Sequence, residues 1–312
     1  MADRCPVTLY LENDLSTEIS RQGMRSNLRR ATKVLSSDQL EDPRLLPWHL
    51  LEQRHVARLR ALLTEQGSAP TTINTTLAGV KGVLRQCWRL GLMSHEQFAA
   101  ATDVKPARGS RVSSGRCLND GEIRALMAAC CDDGSPAGAR DAALLALALG
   151  AGLRRAELVG LGVQDYSRNE GQEHGELIVA GKGNKERKVY LSNGSRDAIE
   201  DWIAVRGSEP GPLFVAISKS GQFEPSKGLT GQALAKTMAK RAGQAGVANF
   251  GPHDLRRTMI SSLLDRGVDI STAARVAGHA SIETTRVYDL RGERSAIAAS
   301  EVLHVPYSRR HR

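Results

Sequence analysis

The chain has 312 residues, of which 41% are apolar and 25% charged, enough for two cores. Its 43 Lys and Arg outweigh 34 Asp and Glu to leave a net charge of +9, a balance that favours a polyanionic partner, nucleic acid before an anionic membrane. Five scattered cysteines (Cys5, Cys87, Cys117, Cys130, Cys131) argue against a disulfide scaffold or a zinc site. The start of the chain has no apolar signal core, and the apolar run around Ala142 to Ala148 is too short to span a bilayer, so a cytoplasmic protein is expected.

From about Leu11 to Leu35 the apolar residues Leu15, Ile19, Leu28 and Val34 recur at roughly helical spacing, accompanied by Arg21, Arg25, Arg29, Arg30 and Lys33. A second helix is predicted from about Pro47 to Gln66, stopped by Gly67. A third follows Ser68-Ala69-Pro70, with Thr71 or Thr72 as its cap. Ile73, Leu77, Val80, Leu84 and Trp88 fall on one of its faces, and Lys81, Arg85 and Arg89 line another at i, i+4, i+8. A row of like charges slightly disfavours an isolated helix; it fits a phosphate backbone, and it also fits a solvated face. The helical block covers 1–102. Residues 103–116, with Pro106, Gly109, Gly115 and several serines, read as a linker made basic by Lys105, Arg108, Arg111 and Arg116.

The second block, 117–292, opens with Asn119 or Asp120 capping a helix to about Cys131. A strongly apolar helix from about Ala139 to Leu149 follows. Glu176 to Ala180 and Arg187 to Leu191 read as an antiparallel pair joined by the turn Gly181-Lys182-Gly183-Asn184-Lys185-Glu186. Further helices are predicted at about Ser195 to Val205, from a Thr230 cap to about Ala242, at His253 to Asp265 and at Ile270 to Val276. Leu213 to Ile217 reads as a short extended piece. Gly278 breaks the backbone before His279, and Ser281, Thr284 or Thr285 can each cap a short helix that ends at Tyr288. The segment 293–312 contains a helix-compatible tail, Glu293 to Leu303, and a basic end. The fold class is therefore mainly α with a small antiparallel β-sheet: a helical domain followed by a mixed α/β domain.

Taken singly, Arg154 at a helix start, Lys182 on a turn, His253 and Arg256 three residues apart, His279 and Tyr288 each have a bland explanation as surface or core residues. A phenol with a pKa near ~10 is a poor nucleophile at neutral pH unless cations and a base surround its electrophile. In combination, the order Arg-Lys-His-Arg-His-Tyr, each in its own context, resembles the tyrosine recombinase (integrase) family. The resemblance lies in Gly152-Leu153-Arg154-Arg155-Ala156-Glu157-Leu158, Gly181-Lys182-Gly183-Asn184-Lys185-Glu186-Arg187, His253-Asp254-Leu255-Arg256-Arg257-Thr258 and Gly278 to Tyr288. Arg257 stands where many relatives have histidine. The first block is similar to the family's core-binding domain more loosely, through Thr72-Ile73-Asn74 and the basic helix after it. The compact two-domain, Xer-like members are the nearest match, with no room for an extra N-terminal arm-binding domain.

The resemblance implies a C-clamp around DNA and a site-specific recombinase that cuts and rejoins strands through a 3′-phosphotyrosyl intermediate and a four-way junction. Tyr288 would attack phosphorus, Arg154 and Arg256 would clamp the non-bridging oxygens, and His253 would take the phenolic proton. Lys182 would protonate the leaving 5′ oxygen, His279 would donate to a non-bridging oxygen, and Glu157 would orient the arginines. Lys81, Arg85, Arg89, Lys105, Arg108 and Arg111 are candidate DNA contacts. No metal or cofactor is expected, since there is no carboxylate cluster for a two-metal mechanism. The implied partners are double-stranded DNA bearing a specific site and three further copies of the chain on two duplexes, the tail at 293–312 touching a neighbour. An accessory protein that sets direction fits the same scheme, in a bacterial cytoplasm at the nucleoid. A type IB topoisomerase activity and a catalytically silent DNA-binding protein are the alternatives.

Overall fold

The computed structural model describes residues 5–109, 115–169, 171–181, 186–218, 220–279, 281–289 and Ser300. It divides into two compact units, 1–113 and 114–312. No helix of the described residues is long and apolar enough to cross a membrane.

The first unit is built of α1 (Pro6–Asn13), α2 (Glu18–Leu35), α3 (Gln53–Glu65), α4 (Pro70–Arg89) and α5 (His95–Thr102). The single helical segment expected from Leu11 is broken at 14–17, where Thr17 caps α2 by accepting from Ser20 N, and Ile19 is left 77% exposed. The helix expected from Pro47 starts instead at Gln53; Pro47 leads into a 3₁₀ turn, Trp48–Leu50, whose indole donates to Pro43 O at 2.7 Å. Gly67, at φ +71°, follows α3 as anticipated. In α4, Pro70 takes the first helical position rather than Thr71 or Thr72 capping it. Ile73, Leu77, Val80 and Leu84 are buried in the core with Leu28, Leu59 and Leu63, while Trp88 leaves that core, 39% exposed, to stack on Phe98. A Cβ at Gly82 would lie 2.2 Å from the Tyr10 ring, so the absence of a side chain there lets α1 lie directly on α4.

The second unit surrounds α7 (Pro136–Gly150) with α6 (Asp120–Cys131) and α8 (Arg155–Gly160). A three-stranded antiparallel sheet follows, in the order β1 (Tyr166–Ser167), β2 (Gly175–Ala180), β3 (Glu186–Leu191). Its alternation is plain: Leu177, Val179, Val189 and Leu191 face the core, while Ile178 and Tyr190 face outward. Next come α9 (Gly194–Arg206) and a two-stranded sheet of β4 (Val215–Ile217) and β5 (Phe223–Gly228). The expected extended piece at Leu213 thus has a partner strand that carries little apolar signal. The unit closes with α10 (Gly231–Gln244), α11 (Pro252–Asp265), α12 (Ile270–Ala277) and α13 (Ile282–Arg286). Trp202 of α9 is fully buried and donates to Leu213 O at 2.8 Å. Met259, Ile260 and Leu264 of α11 form a separate small cluster with Ala273, Ala277 and Tyr288, which fixes the C-terminal elements on the catalytic-candidate helix. Apart from Ser300, the tail Glu293 to Leu303 lies outside the described residues.

Candidate active site

Four pieces of the second unit meet at one place: the start of α8, the start of β3, the start of α11, and the segment from the end of α12 to Tyr288. Arg154 is the residue before α8. Its backbone N–H donates to Glu157 Oε2 at 2.9 Å, and its Nη1 donates to Oε1 at 2.7 Å. Arg187 of β3 grips the same carboxylate with both terminal nitrogens, each at 2.9 Å. Burial alone would raise the Glu157 pKa; hydrogen bonds from Arg187 and Arg154 overcome it and hold the group down at about 2. Glu157 is therefore an anion flanked by two guanidiniums.

Arg154 also donates from Nη2 to Gly278 O at 2.9 Å. Gly278 ends α12 in the left-handed region at φ +66°, and a Cβ there would sit 2.7 Å from Arg187 Nε. Only glycine meets both conditions without strain or collision. The bend delivers His279 beside the arginines.

Pro252 opens α11, and the first two turns of that helix place His253, Arg256 and Arg257. Arg256 is 2% exposed and donates from Nη1 to Gly152 O, and its buried Nη2 has no hydrogen-bond partner among the described residues. Burial first, then the charge of Arg154, lowers its pKa to about 10, which still leaves it a cation at neutral pH. A buried guanidinium nitrogen without an acceptor is costly on its own and is suited to receive an anionic oxygen. The opposite side of the same helix is fastened to the end of the linker. Asp254 accepts from Arg116 N, Thr258 Oγ1 accepts from Leu118 N, and the Arg116 guanidinium reaches Glu122 and Ala248 O. Arg116 was expected to be part of a loose basic strap; it is tied to the second unit by these bonds.

Tyr288 is 6% exposed, and its Oη lies 3.1 Å from His253 Nε2. Its ring stacks on that of His279 (centroids 6.0 Å apart, planes at 18°), and the Arg257 guanidinium stands 5.3 Å from its centre. Its carbonyl accepts from Ser261 Oγ at 3.2 Å. His279 Nδ1 is 2.8 Å from Thr285 Oγ1. Burial, reinforced by Arg256 and Arg154, pushes His279 down to about 4. His253 keeps an exposed edge, yet its packing in the site and then the charges of Arg256 and Arg257 set it below the ordinary imidazole value. Both histidines are neutral at pH 7. The arrangement couples a phenol to a neutral base beside an anion-binding pair of guanidiniums, which is suited to nucleophilic attack on a phosphodiester.

The structure thus brings Arg154, Glu157, His253, Arg256, His279 and Tyr288 together. Lys182 and Arg111 lie outside the described residues. Lys81, Arg85 and Arg89 are on α4 of the first unit, with Arg85 and Arg89 exposed; Arg89 faces Asp14 at 3.6 Å. Lys105 and Arg108 are exposed on the segment after α5. Sequence reasoning gave no part in the site to Arg187, Arg257 or Thr285, the last offered only as a cap, a position that Ser281 takes before α13; Arg187 closes the Gly-Lys-Gly-Asn-Lys-Glu-Arg run, but its partner is thirty positions away. No group of His, Cys, Asp and Glu among the described residues could hold a metal ion.

Known proteins resemble the chain in sequence and in fold. Residues 116–291 match the phage integrase family. Over 279 residues the chain is 30% identical to the tyrosine recombinase XerC of Stutzerimonas stutzeri (strain A1501), covering 87% of this chain and 86% of the relative. The fold is similar to that of the XerH site-specific recombinase bound to a palindromic difH substrate in a post-cleavage complex, at a TM-score of 0.65 and 17% identity over 91% of this chain and 80% of the other. It is also similar to a lambda integrase tetramer bound to a Holliday junction, at a TM-score of 0.62 and 15% identity over 93% of this chain and 77% of the other.

Proposed function

Because the chain belongs to the phage integrase family of tyrosine recombinases, we propose that it cuts and rejoins DNA strands at a specific site through a covalent bond between Tyr288 and a 3′-phosphate. The observation that carries the residue assignment is the Tyr288 hydroxyl bonded to His253 beside Arg256, whose buried Nη2 has no acceptor among the described residues. In this reading His253 accepts the phenolic proton as Tyr288 Oη attacks phosphorus. Arg256 and Arg154 bind the non-bridging oxygens, their planar forks matching the phosphate and keeping their charge. His279 donates a further hydrogen bond to the developing charge, and Lys182 delivers a proton to the departing 5′ oxygen. The phosphotyrosyl bond conserves the energy of the phosphodiester, so a second 5′-hydroxyl can displace Tyr288 without ATP. Glu157 holds Arg154 and Arg187 in register for this task.

Four copies exchanging strands between two duplexes through a four-way junction complete the proposal, and the lambda integrase assembly supports it by its likeness of fold. Double-stranded DNA is the substrate, and an accessory protein setting direction is compatible with it. The basic face of α4 and the residues Lys105, Arg108 and Arg111 are the proposed backbone contacts of the first unit. A nicked suicide substrate drawn from DNA flanking the gene tests the chemistry. The native chain should form a covalent adduct and Tyr288→Phe should form none; an adduct that survives the substitution would move the nucleophile elsewhere. Rapid relaxation of plasmids lacking the site would instead indicate a topoisomerase.

A further inference from the structure

His279 and Thr285 are brought within 2.8 Å of each other, Nδ1 to Oγ1, by the bend at Gly278 and the single turn of α13. Thr285 is fully buried (0% exposed), and among the described residues its hydroxyl makes no other hydrogen bond. A hydroxyl has one proton to donate, and a neutral imidazole has one proton to place on either nitrogen. If Nδ1 carried that proton and donated to Oγ1, the threonine proton would be buried without an acceptor, which is expensive. If the hydroxyl donates to Nδ1, both groups are satisfied and the imidazole proton resides on Nε2. The neutral state of His279 at pH 7 follows from its burial and from Arg256 and Arg154.

We propose that Thr285 is a positioning residue whose hydroxyl donates to Nδ1 of His279 and so fixes the tautomer that carries its proton on Nε2. This rests on the recombinase reading above, and it gives His279 a defined part in that reaction. With Nδ1 occupied, His279 offers the phosphate only the Nε2–H donor. It cannot act as the base for Tyr288, whose hydroxyl is instead paired with His253 Nε2 at 3.1 Å. The two histidines are divided into donor and acceptor by what holds the far side of one ring.

The ring nitrogens of the full chain labelled with ¹⁵N-histidine report the tautomer directly, with the His279 signals assigned by their loss in His279→Gln. At pH 7 the native protein should show Nε2 protonated and Nδ1 bare. Thr285→Val should mix the two tautomers, and Thr285→Ser should restore the native one. With the suicide substrate, Thr285→Val should slow single-turnover adduct formation at least about two-fold, the loss expected when an even tautomer mixture leaves half of the molecules without the Nε2–H donor, with DNA binding unchanged and Thr285→Ser recovering most of the rate. A native spectrum with the proton on Nδ1 would overturn the proposal. So would a Thr285→Val protein with the native tautomer and rate. If Thr285→Val does not fold, the native spectrum decides alone. If the native chain forms no adduct, the recombinase reading fails while the spectrum still judges the Thr285 contact.

Discussion

At the scale of single residues, the site works by setting protonation states through its neighbours. His253 must be neutral to accept a proton from Tyr288, and its pKa is lowered by its packing and by Arg256 and Arg257. In the proposed mechanism a protonated His253 cannot serve as base, so activity should fall as pH drops through its folded value. That limb should lie below ~6.5, the ordinary imidazole value. Single-turnover adduct formation measured from acid to neutral pH checks this; a rate still climbing steeply above pH 7 would count against His253 as the base. Stability has its own acid dependence. His279, at about 4, and Glu157, at about 2, are both lowered in the folded state. Each contributes stability that is present above its unfolded value and lost as pH falls, His279 between ~6.5 and 4 and Glu157 between ~4.3 and 2. Circular dichroism recorded alongside the rate separates the two effects, because the His253 limb should appear while the fold is intact.

At the scale of elements, α7 shows what a hydrophobic pattern conceals. Its apolar run correctly marks a buried helix, but the helix also carries Arg140 and Asp141, exposed by only 6% and 1%. Asp141 accepts from Arg140 Nε and Nη2 at 2.9 and 2.7 Å and from Arg241 Nε of α10 at 2.8 Å, while Arg140 Nη1 reaches Val215 O of β4. One carboxylate therefore ties α7 to α10 and β4. Asp141→Ala would leave two buried guanidiniums facing each other and should cost about 3–5 kcal/mol, the range for breaking a buried ion pair from one side. Urea denaturation measures it, and a loss below ~1 kcal/mol would show the network to be replaceable. Most of the longer helices and the β2–β3 pair were legible in the sequence because a single period or alternation governs each, whereas the short α5 was not predicted. The break before α2 was not, since Leu15 and Ile19 continue the spacing while Ile19 faces solvent. β5 was hidden because its residues are nearly all exposed and include Pro225. Arg154, His253, Arg256, His279 and Tyr288, which the fold gathers, were singled out in the sequence by their order and local context, while Lys182 lies outside the described residues. The pairing Arg187–Glu157 could not be read, because it depends on which segments the fold brings together, and Thr285–His279, only six positions apart, turns on the local bend at Gly278 and the turn of α13.

At the scale of the whole molecule, the net charge of +9 has to be divided between charges free to meet a phosphate backbone and charges already engaged. Arg116, tied to Glu122 and Ala248 O, belongs to the second group. Arg89 is intermediate, 53% exposed yet 3.6 Å from Asp14, whereas Arg85 is exposed and Lys81 half-buried on the same helix. Each phosphate neutralised contributes about 0.9 to the slope of log K against log salt on duplex DNA. Three unencumbered contacts would thus be worth ~2.7. Replacing Lys81, Arg85 and Arg89 together by alanine should reduce the slope by about 2 instead, because Asp14 already screens part of the Arg89 charge. Arg89→Ala alone should change it by clearly less than Arg85→Ala, and Arg116→Ala should leave it unaltered. Binding to the cognate duplex at a series of salt concentrations provides all four slopes. If the triple variant kept the native slope, the α4 face would be a solvated surface, and the cations that grip DNA would have to be sought on the other elements of the first unit.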